Sequence, residues 1–393
     1  MFPKSIYKLT KEKAELVSKF FVESDGFFTF EGCWLRNQRL ENKNQSNYVD
    51  KSTVRRRYVH FYDKYQLVNE NGESYLAIAK PYLHITNTLP ENEISAMKTR
   101  ILNALKASQF KQNGNVFLKE NMEVDLFEYK MHPKNTTKFP DNYSSFDITI
   151  KLKDHKTDDL TNRMWLLSTK MYRMPDKREN PTYTDNLDEI KKYLPAQIEM
   201  GCGPSLEANI PPLYKMHELY KVQNHDTGKF YFANEDNLAE ELIKNIDIMY
   251  RKFSEVPINC IEAELTDGYK TFGQLYNKGY FKGIVFNNNF DRLVRRMDIN
   301  ETILRIYDID TYLPQCEFAN GVKSLICMGC HADRRQIQRQ ARQKGLKVIY
   351  IDPEGFYTDK GFEPYLIEGP KNEDYILKMT FEDAMKLFKR DLL

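Results

Sequence analysis

Several features that mark particular classes of protein are missing from this chain of 393 residues. No apolar run approaches the ~20 residues needed to cross a bilayer. The first residues, MFPKSIYKLTKEKAEL, contain no apolar segment of the kind found in signal peptides. Lys and Arg total 58 against 56 acidic residues, so no excess of positive charge is available to neutralise nucleic-acid phosphates. We therefore expect neither a membrane nor a nucleic-acid partner.

Cysteine is also scarce, which favours a cytoplasmic protein without disulfides. The six cysteines are Cys33, Cys202, Cys260, Cys316, Cys327 and Cys330. Cys327 and Cys330 have the C-x-x-C spacing, but a structural zinc site needs a second close pair and only Cys316 is near them. We expect neither zinc nor any other metal.

The residues that are abundant indicate a folded protein of two domains. With 25 Tyr, 24 Phe and 41% hydrophobic residues, the chain can form full cores. A polar, proline-containing stretch at 174–189 is the best candidate linker, which predicts domains at 1–184 and 185–393. The first domain shows strand-like stretches with two interposed helical patterns, so it is predicted to be α+β. Its role stays open between substrate recognition, homo-oligomer formation and a second activity.

The second domain begins with a strand that runs into glycines. Residues 196–200 form a short apolar strand, and Gly201-Cys202-Gly203-Pro204-Ser205 follows it. Two glycines after a strand let the backbone approach a pyrophosphate, whose charge the N-terminus of the next helix favours. The alternative is an ordinary turn, because G-x-G is common by chance.

A second segment, GYFKGIVFNNNFDRLVRR, places polar side chains directly after a predicted strand at 284–287. Asn288, Asn289 and Asp291 would then lie at the carboxyl end of a parallel strand, where α/β folds bind ligands. A helix is expected after Asp291. The alternative is an Asn-rich turn in which Asp291 caps that helix.

The third segment, residues 321–356, predicts a complete β-α-β unit. Strands at 324–328 and 347–351 flank a helix of about a dozen residues that ends at Gly345. Gly329 follows the first of these strands, and Asp352 ends the second. A carboxylate in that position commonly accepts hydrogen bonds from the ribose of a dinucleotide. Strands that alternate with helices predict a Rossmann-like, doubly wound parallel sheet.

Taken in order, the three segments resemble the sirtuin family over about 200 residues. GCGPSLEANIPP is similar to the sirtuin G-A-G-I-S…G-I-P loop, and NNNFDRL to T-Q-N-I-D-G-L. MGCHADRRQIQRQARQKGLKVIYIDPE is similar to the segment that carries G-T-S and V-I-x-I-N. The resemblance implies a site for NAD or an ADP-ribose-like nucleotide. The implied binding residues are Gly201, Gly203, Ser205, Asn288, Gly329, His331 and Asp352.

The chain departs from the sirtuin pattern where that family's catalytic and zinc-binding residues would lie. The stretch TILRIYDIDTYLPQCEF contains no histidine to match the sirtuin general base, and the two cysteine pairs of the sirtuin zinc module are missing. A zinc-dependent deacetylase is therefore not expected.

Two functions remain open for the C-terminal domain. One is cleavage of the nicotinamide–ribose bond of NAD, by hydrolysis or ADP-ribosyl transfer, with Asn289, Asp291 and His217 as catalytic candidates. Asn289 and Asp291 would stabilise the positive charge that develops on the ribose. The other function is a catalytically silent module that senses NAD or ADP-ribose. His217 and His331 also have structural interpretations.

Overall fold

The computed structural model describes residues 5–39, 54–130, 143–153, 179–211, 221–223, 230–232, 237–246, 251, 253–303, 316–330, 333, 336–353, 355–358, 361–364 and 370–393. The chain forms two compact units. One comprises Met1–Thr169 and Leu213–Ile258, and the other comprises Lys170–Pro212 and Asn259–Leu393. The domains predicted from the sequence, 1–184 and 185–393, are each continuous. In the structure, by contrast, the first unit also contains the separate segment 213–258.

The first unit is built on a nine-stranded antiparallel sheet. Its strands are β1 (Ser5–Leu9), β2 (Phe28–Arg39), β3 (Val54–Glu70), β4 (Glu73–Lys80), β5 (Tyr82–Pro90), β6 (Lys111–Asn113), β7 (Val116–Lys119), β8 (Met122–Lys130) and β9 (Tyr143–Leu152). The order is β1-β4-β3-β5-β9-β8-β7-β6, and β2 pairs with β3. The predicted α+β character of this part is confirmed.

Local sequence explains the elements of this first unit. Asn71 and Gly72 form the tight turn between β3 and β4, and both have positive φ. Helix α1 (Lys11–Leu16) starts at a Thr10 cap and continues into a π-helical turn. Helix α2 (Glu91–Ala107) begins with acidic residues, as the helix dipole favours, and packs on β5 and β9. Strands β5 and β9 are buried at consecutive positions, and Ile85 and Ile148, which pair across them, belong to this core.

The second unit contains a seven-stranded sheet in which every pairing is parallel. Its strands are β10 (Thr182–Tyr183), β11 (Ala196–Met200), β14 (Val285–Asn287), β15 (Glu301–Ile303), β16 (Ser324–Met328), β17 (Lys347–Ile351) and β20 (Tyr375–Leu377). Two-stranded hairpins are formed by β12 (Lys221–Gln223) with β13 (Phe230–Phe232), in the first unit, and by β18 (Gly355–Thr358) with β19 (Gly361–Pro364), in the second.

The order of the parallel strands is β10-β20-β17-β16-β11-β14-β15. From β11 the chain moves outward through β14 to β15. It then returns to the other side of β11 and continues outward through β16, β17 and β20. Counted in chain order from β11, six strands therefore have the order 3-2-1-4-5-6, the order of the Rossmann fold. The predicted α/β class is confirmed, with the switch in direction between β11 and β16.

The four predicted strands of this sheet are confirmed, with the strand expected at 284–287 beginning one residue later at Val285. The helix expected after Asp291 is wrong: the chain makes turns and one 3₁₀ turn at Arg295–Met297. Arg292 and Asp298 have positive φ, which interrupts any longer helix. The helix before Gly345 is also shorter than expected, since it covers Ile337–Gln343.

The remaining helices precede or follow these strands in sequence, except that the helix at 238–244 lies in the first unit and the one at 255–262 begins there. They are α3 (Leu187–Lys191), α4 (Cys202–Glu207), α5 (Leu238–Lys244), α6 (Glu255–Glu262), α7 (Asp267–Asn277), α8 (Ile337–Gln343) and α9 (Phe381–Leu392). Aromatic side chains form much of the core beside α7 and α9, where Phe272 stacks on Phe281 and Phe281 contacts Phe388 edge-on. Among the described residues, no helix combines the length and apolar character that a membrane span requires.

Candidate functional site

Three loops follow adjacent strands of the parallel sheet at its carboxyl edge. The first loop (201–205) follows β11 and, from Cys202 on, already forms the start of α4. The second loop (288–293) follows β14, and the third loop begins at Gly329 after β16. Backbone hydrogen bonds of the sheet continue past the strand ends into these loops. The N–H of Gly201 donates to Met328 O and the N–H of Gly329 donates to Ile351 O, both at 2.8 Å. The predicted residues of the three segments that the structure describes therefore lie at one edge of the sheet.

The first and third loops pack so closely that side chains do not fit between them. A Cβ on Gly201 would lie 2.3 Å from the carbonyl oxygen of Gly329, and one on Gly203 would lie 2.8 Å from Gly329 Cα. Gly329 has φ +64°, and a Cβ there would lie 2.6 Å from the backbone of Gly203. The glycines were predicted from the space that a pyrophosphate needs. The structure shows a second reason for glycine at these positions, because the two loops contact each other there.

The three asparagines of the second segment hold their loop through different partners. Nδ2 of Asn287 donates to Glu301 at 2.7 Å. Nδ2 of Asn288 donates to the carbonyl oxygen of Met200 at 3.1 Å, and Nδ2 of Asn289 donates to that of Gly201 at 2.5 Å. The second loop is thus attached to the end of β11 and to the start of the first loop.

Ser205 and Asp291 contact each other rather than facing an open crevice. Oγ of Ser205 donates to Oδ2 of Asp291 at 2.5 Å, and Oδ1 of Asp291 accepts from the N–H of Leu293 at 2.9 Å. Asp291 is 1% exposed, and burial raises its pKa. The hydroxyl proton of Ser205, a predicted binding residue, is therefore directed to Asp291 and not to a ligand.

Asp352 lies where the sequence predicted it, directly after β17. Its N–H donates to Leu377 O at 3.2 Å, and the residue is fully buried. The other two predicted site residues, His217 and His331, lie outside the described residues.

A buried carboxylate under these loops was missed by the sequence interpretation. Glu199 belongs to β11, where every residue is buried, and it faces β16 and α8. Oε1 of Glu199 accepts from Nδ2 of Asn288 at 3.2 Å, and Oε2 accepts from Nε2 of Gln338 at 3.0 Å. Burial, together with the nearby charge of Asp333, raises the pKa of Glu199 to about 7. The detectable signal was an acidic residue in an otherwise buried strand.

Two neighbouring cysteines of the third segment are buried thiols. Burial raises the pKa of Cys327 and of Cys330 well above the ordinary range, with the negative charge of Glu199 adding to the effect. Thiolates, which metals prefer as ligands, are therefore disfavoured at these positions. Among the residues that the structure describes, no three His, Cys, Asp or Glu side chains are grouped to hold a metal ion.

Comparison with known proteins gives limited matches. No family model matches the sequence. The RNA replication protein of Citrus leprosis virus C is 27% identical over 118 residues, which is 28% of this chain and 5% of that protein. The chain therefore corresponds to a small part of that relative's length.

Among solved structures, a mutant of a Sir2 homologue in complex with ADP-ribose is 14% identical with a TM-score of 0.33. The match covers 52% of this chain and 95% of that one. A likeness of this size supports no argument about a ligand or a site. The fold assignment therefore rests on the strand order of the parallel sheet.

Proposed function

We propose that the parallel-sheet unit binds NAD or a related nucleotide that contains ADP-ribose. The observation that carries this proposal is the 3-2-1-4-5-6 order of six parallel strands, with a glycine loop after the first of them. In sheets of this order, dinucleotides bind outside the carboxyl ends of the strands at the point where the direction reverses. Here that point lies between β11 and β16.

Within this proposal the loops contact different parts of the nucleotide. The backbone of Gly201, Gly203 and Gly329 approaches the pyrophosphate, and the absence of side chains at these positions lets the two loops that carry them pack together. Asp352 accepts hydrogen bonds from the adenosine ribose, which requires the residues that bury it to move aside when the nucleotide binds. Asn288 and Asn289 lie on the side of β14 and contact the nicotinamide ribose.

The activity we propose is cleavage of the bond between nicotinamide and ribose, as the resemblance to sirtuins implies. The leaving group is a neutral pyridine and the transition state resembles an oxocarbenium ion, so the reaction needs little acid–base help. The amide oxygen of Asn289 would stabilise the growing positive charge. Water or an acceptor side chain then captures the ADP-ribose. Asp291, Ser205, His217 and His331 remain candidates for further contacts.

A specific observation favours a second candidate, a module that binds the nucleotide without cleaving it. Both carboxylate oxygens of Asp291 already accept hydrogen bonds from Ser205 and Leu293, and the side chain is buried. A carboxylate in this position serves the loop structure and is not available to a ribose. The protein would then act as a sensor of NAD or ADP-ribose.

Incubation of the protein with NAD, followed by chromatography for free nicotinamide, separates the two candidates. A calorimetric titration with ADP-ribose measures binding independently of turnover. We expect Asn289→Ala to reduce turnover more than affinity, because the charge it meets grows only in the transition state. Asn300→Ala, at an exposed position of the same unit, is the matched control. Binding without release of nicotinamide would establish the sensor, and no binding would refute the proposed function.

A further inference from the structure

The buried side chains around Glu199 form a connected network whose direction of hydrogen bonding can be worked out. It runs from Asn288 through Glu199 to Gln338, and then through Tyr350 to Arg342. Arg342 in turn pairs with Asp374 at 2.5 Å. The network joins the second loop to α8, the helix that follows the third loop.

The donor at the outer end fixes the orientation of Gln338. A guanidinium can only donate, so the hydroxyl of Tyr350 accepts from Arg342 at 2.9 Å. That hydroxyl then donates its own proton to Oε1 of Gln338 at 2.8 Å. The remaining group of Gln338, its NH₂, must therefore face Glu199.

The acceptor at the inner end fixes Asn288 in the same way. The carbonyl oxygen of Met200 can only accept, so the group of Asn288 that lies 3.1 Å from it is the NH₂. The same NH₂ lies 3.2 Å from Oε1 of Glu199. Neither neighbour can turn its amide without losing another buried hydrogen bond. Glu199 therefore meets an NH₂ donor at each of its two oxygens.

The thiol of Cys327 is a third, weaker donor, at 3.5 Å from Oε2. The ionised carboxylate can accept all three hydrogen bonds, whereas a protonated one has an O–H that must donate and meets only donors at its two oxygens. The surroundings oppose ionisation, because Glu199 is buried and, among the described residues, the ionisable groups whose charge interacts with it carry no positive charge. These groups are Asp333, Cys316, Cys327 and Cys330. The hydrogen-bond network and the desolvation thus oppose each other near neutral pH, and the pKa of about 7 reflects that balance.

We propose that Glu199 is the positioning residue of the nucleotide site, whose ionised carboxylate holds the second loop and α8 in the arrangement that binds the ligand. Protonation turns one acceptor into a donor, so either Asn288 or Gln338 loses its hydrogen bond to Glu199. This inference rests on the proposed function, since it assigns a pH dependence to binding at the same loops. Nucleotide affinity then falls as the pH is lowered through neutrality.

The test is a calorimetric titration with ADP-ribose at about pH 8 and about pH 6 on the full chain. For the wild type we expect affinity about tenfold lower at the lower pH, since only the ionised fraction is competent to bind. Glu199→Gln brings an NH₂ against an NH₂ donor. It should bind about tenfold more weakly than the wild type at the higher pH, a change of ~1.4 kcal/mol, with little pH dependence.

Glu207→Gln is the matched control, because Glu207 is another carboxylate of the same unit whose pKa is raised by burial. Its partners are the side chain of Thr380 and the N–H of Glu382, which do not belong to the network. We expect this variant to keep the wild-type affinity and pH dependence. If Glu199→Gln keeps the wild-type pH dependence, or Glu207→Gln loses it, the assignment of Glu199 is wrong.

Hydrogen exchange of the ligand-free protein separates failure of this inference from failure of the proposed function. At about pH 8, where Glu199 is ionised, we expect faster exchange of the peptide covering 286–293 in Glu199→Gln than in Glu207→Gln or the wild type. Equal exchange in all three would overturn the positioning role even if ADP-ribose binds. If exchange is faster in Glu199→Gln but the wild type does not bind ADP-ribose, the positioning role of Glu199 is retained and the proposed ligand is refuted.

Discussion

Oγ of Ser205 lies 2.5 Å from Oδ2 of Asp291, and this buried hydrogen bond joins the first loop of the parallel sheet to the second. A hydroxyl that donates to a carboxylate forms one of the stronger hydrogen bonds in proteins. Both residues had been predicted as ligand contacts from the sequence. Their mutual contact indicates that they also maintain the spacing between two loops of the site.

Removal of this contact should destabilise the second unit. In Ser205→Ala, Oδ2 of Asp291 loses its hydroxyl donor while it remains buried. We expect the free energy of unfolding to fall by about 1–3 kcal/mol, the usual penalty for an unsatisfied buried polar group. Denaturant unfolding of Ser205→Ala, Asp291→Asn and the double variant would measure the coupling between the two residues. Additive effects would show that the hydrogen bond contributes nothing.

The contact between the glycine loops predicts a large effect for a very small substitution. In Gly329→Ala the new methyl group would overlap the backbone of Gly203, at 2.6 Å, and the residue would also keep its positive φ. We expect a loss of about 3 kcal/mol or more from the free energy of unfolding. Gly321→Ala is the control, because Gly321 has φ +79° but no atom within 4 Å of a Cβ. That variant should lose only ~1–2 kcal/mol from strain, and an equal loss in both would exclude steric overlap as the cause.

A rise in pH that ionises Glu199 should lower the free energy of unfolding but raise the affinity for the nucleotide. Its pKa in the folded state is raised from 4.5 to about 7, so the folded protein binds more protons than the unfolded chain between these values. The free energy of unfolding therefore falls as the pH rises through this window. Glu199→Gln should lack this contribution. Thermal unfolding of both proteins across the window measures the difference, and parallel curves would contradict the raised pKa.

A similar pH dependence of stability is expected from Asp63 in the antiparallel sheet. It is fully buried, accepts from the N–H of Tyr82 at 3.0 Å, and has a pKa raised to about 7 by desolvation. Stability should decrease as the pH rises from about 4 to about 7, and Asp63→Asn should remove roughly 2–4 kcal/mol of that dependence. Denaturant unfolding at the two ends of the window measures it. If Asp63→Asn keeps the pH dependence of the wild type, that dependence arises from other groups.

The sequence predicted the parallel sheet well because short buried strands carry a strong local signal. Ser324–Met328 is apolar after its first residue, and Ala196–Met200 is buried along its whole length although it contains Gln197 and Glu199. Glycine directly follows each of these strands. The edge strand Thr182–Tyr183 has no such signal, since it has two residues and lies within the predicted linker. Its place in the sheet depends on the distant β20, so local pattern could not reveal it.

The site was predicted less completely, because its polar contacts are long-range. The sequence placed Ser205 and Asp291 near one ligand, but it could not show that their side chains bond to each other across 86 positions. Glu199 depends on Gln338, which lies 139 positions away. Pairings of this kind are created by the fold and leave no periodicity in the sequence. A buried acid in a strand is the one local sign that such a partner exists.

Binding of ADP-ribose to the wild type and to Asp352→Asn tests the proposed nucleotide site most directly. Asn is the suitable replacement because Asp352 is fully buried and the amide keeps its volume. Loss of charge-assisted hydrogen bonds to the ribose should weaken binding by about tenfold, at ~1.4 kcal/mol per tenfold. Asp267→Ala, an exposed carboxylate of the same unit, should leave affinity unchanged. Calorimetric titration that shows tight binding to the wild type and the control, with weaker binding to Asp352→Asn, would support the site. Equal affinity in all three proteins, or no binding to the wild type, would contradict it.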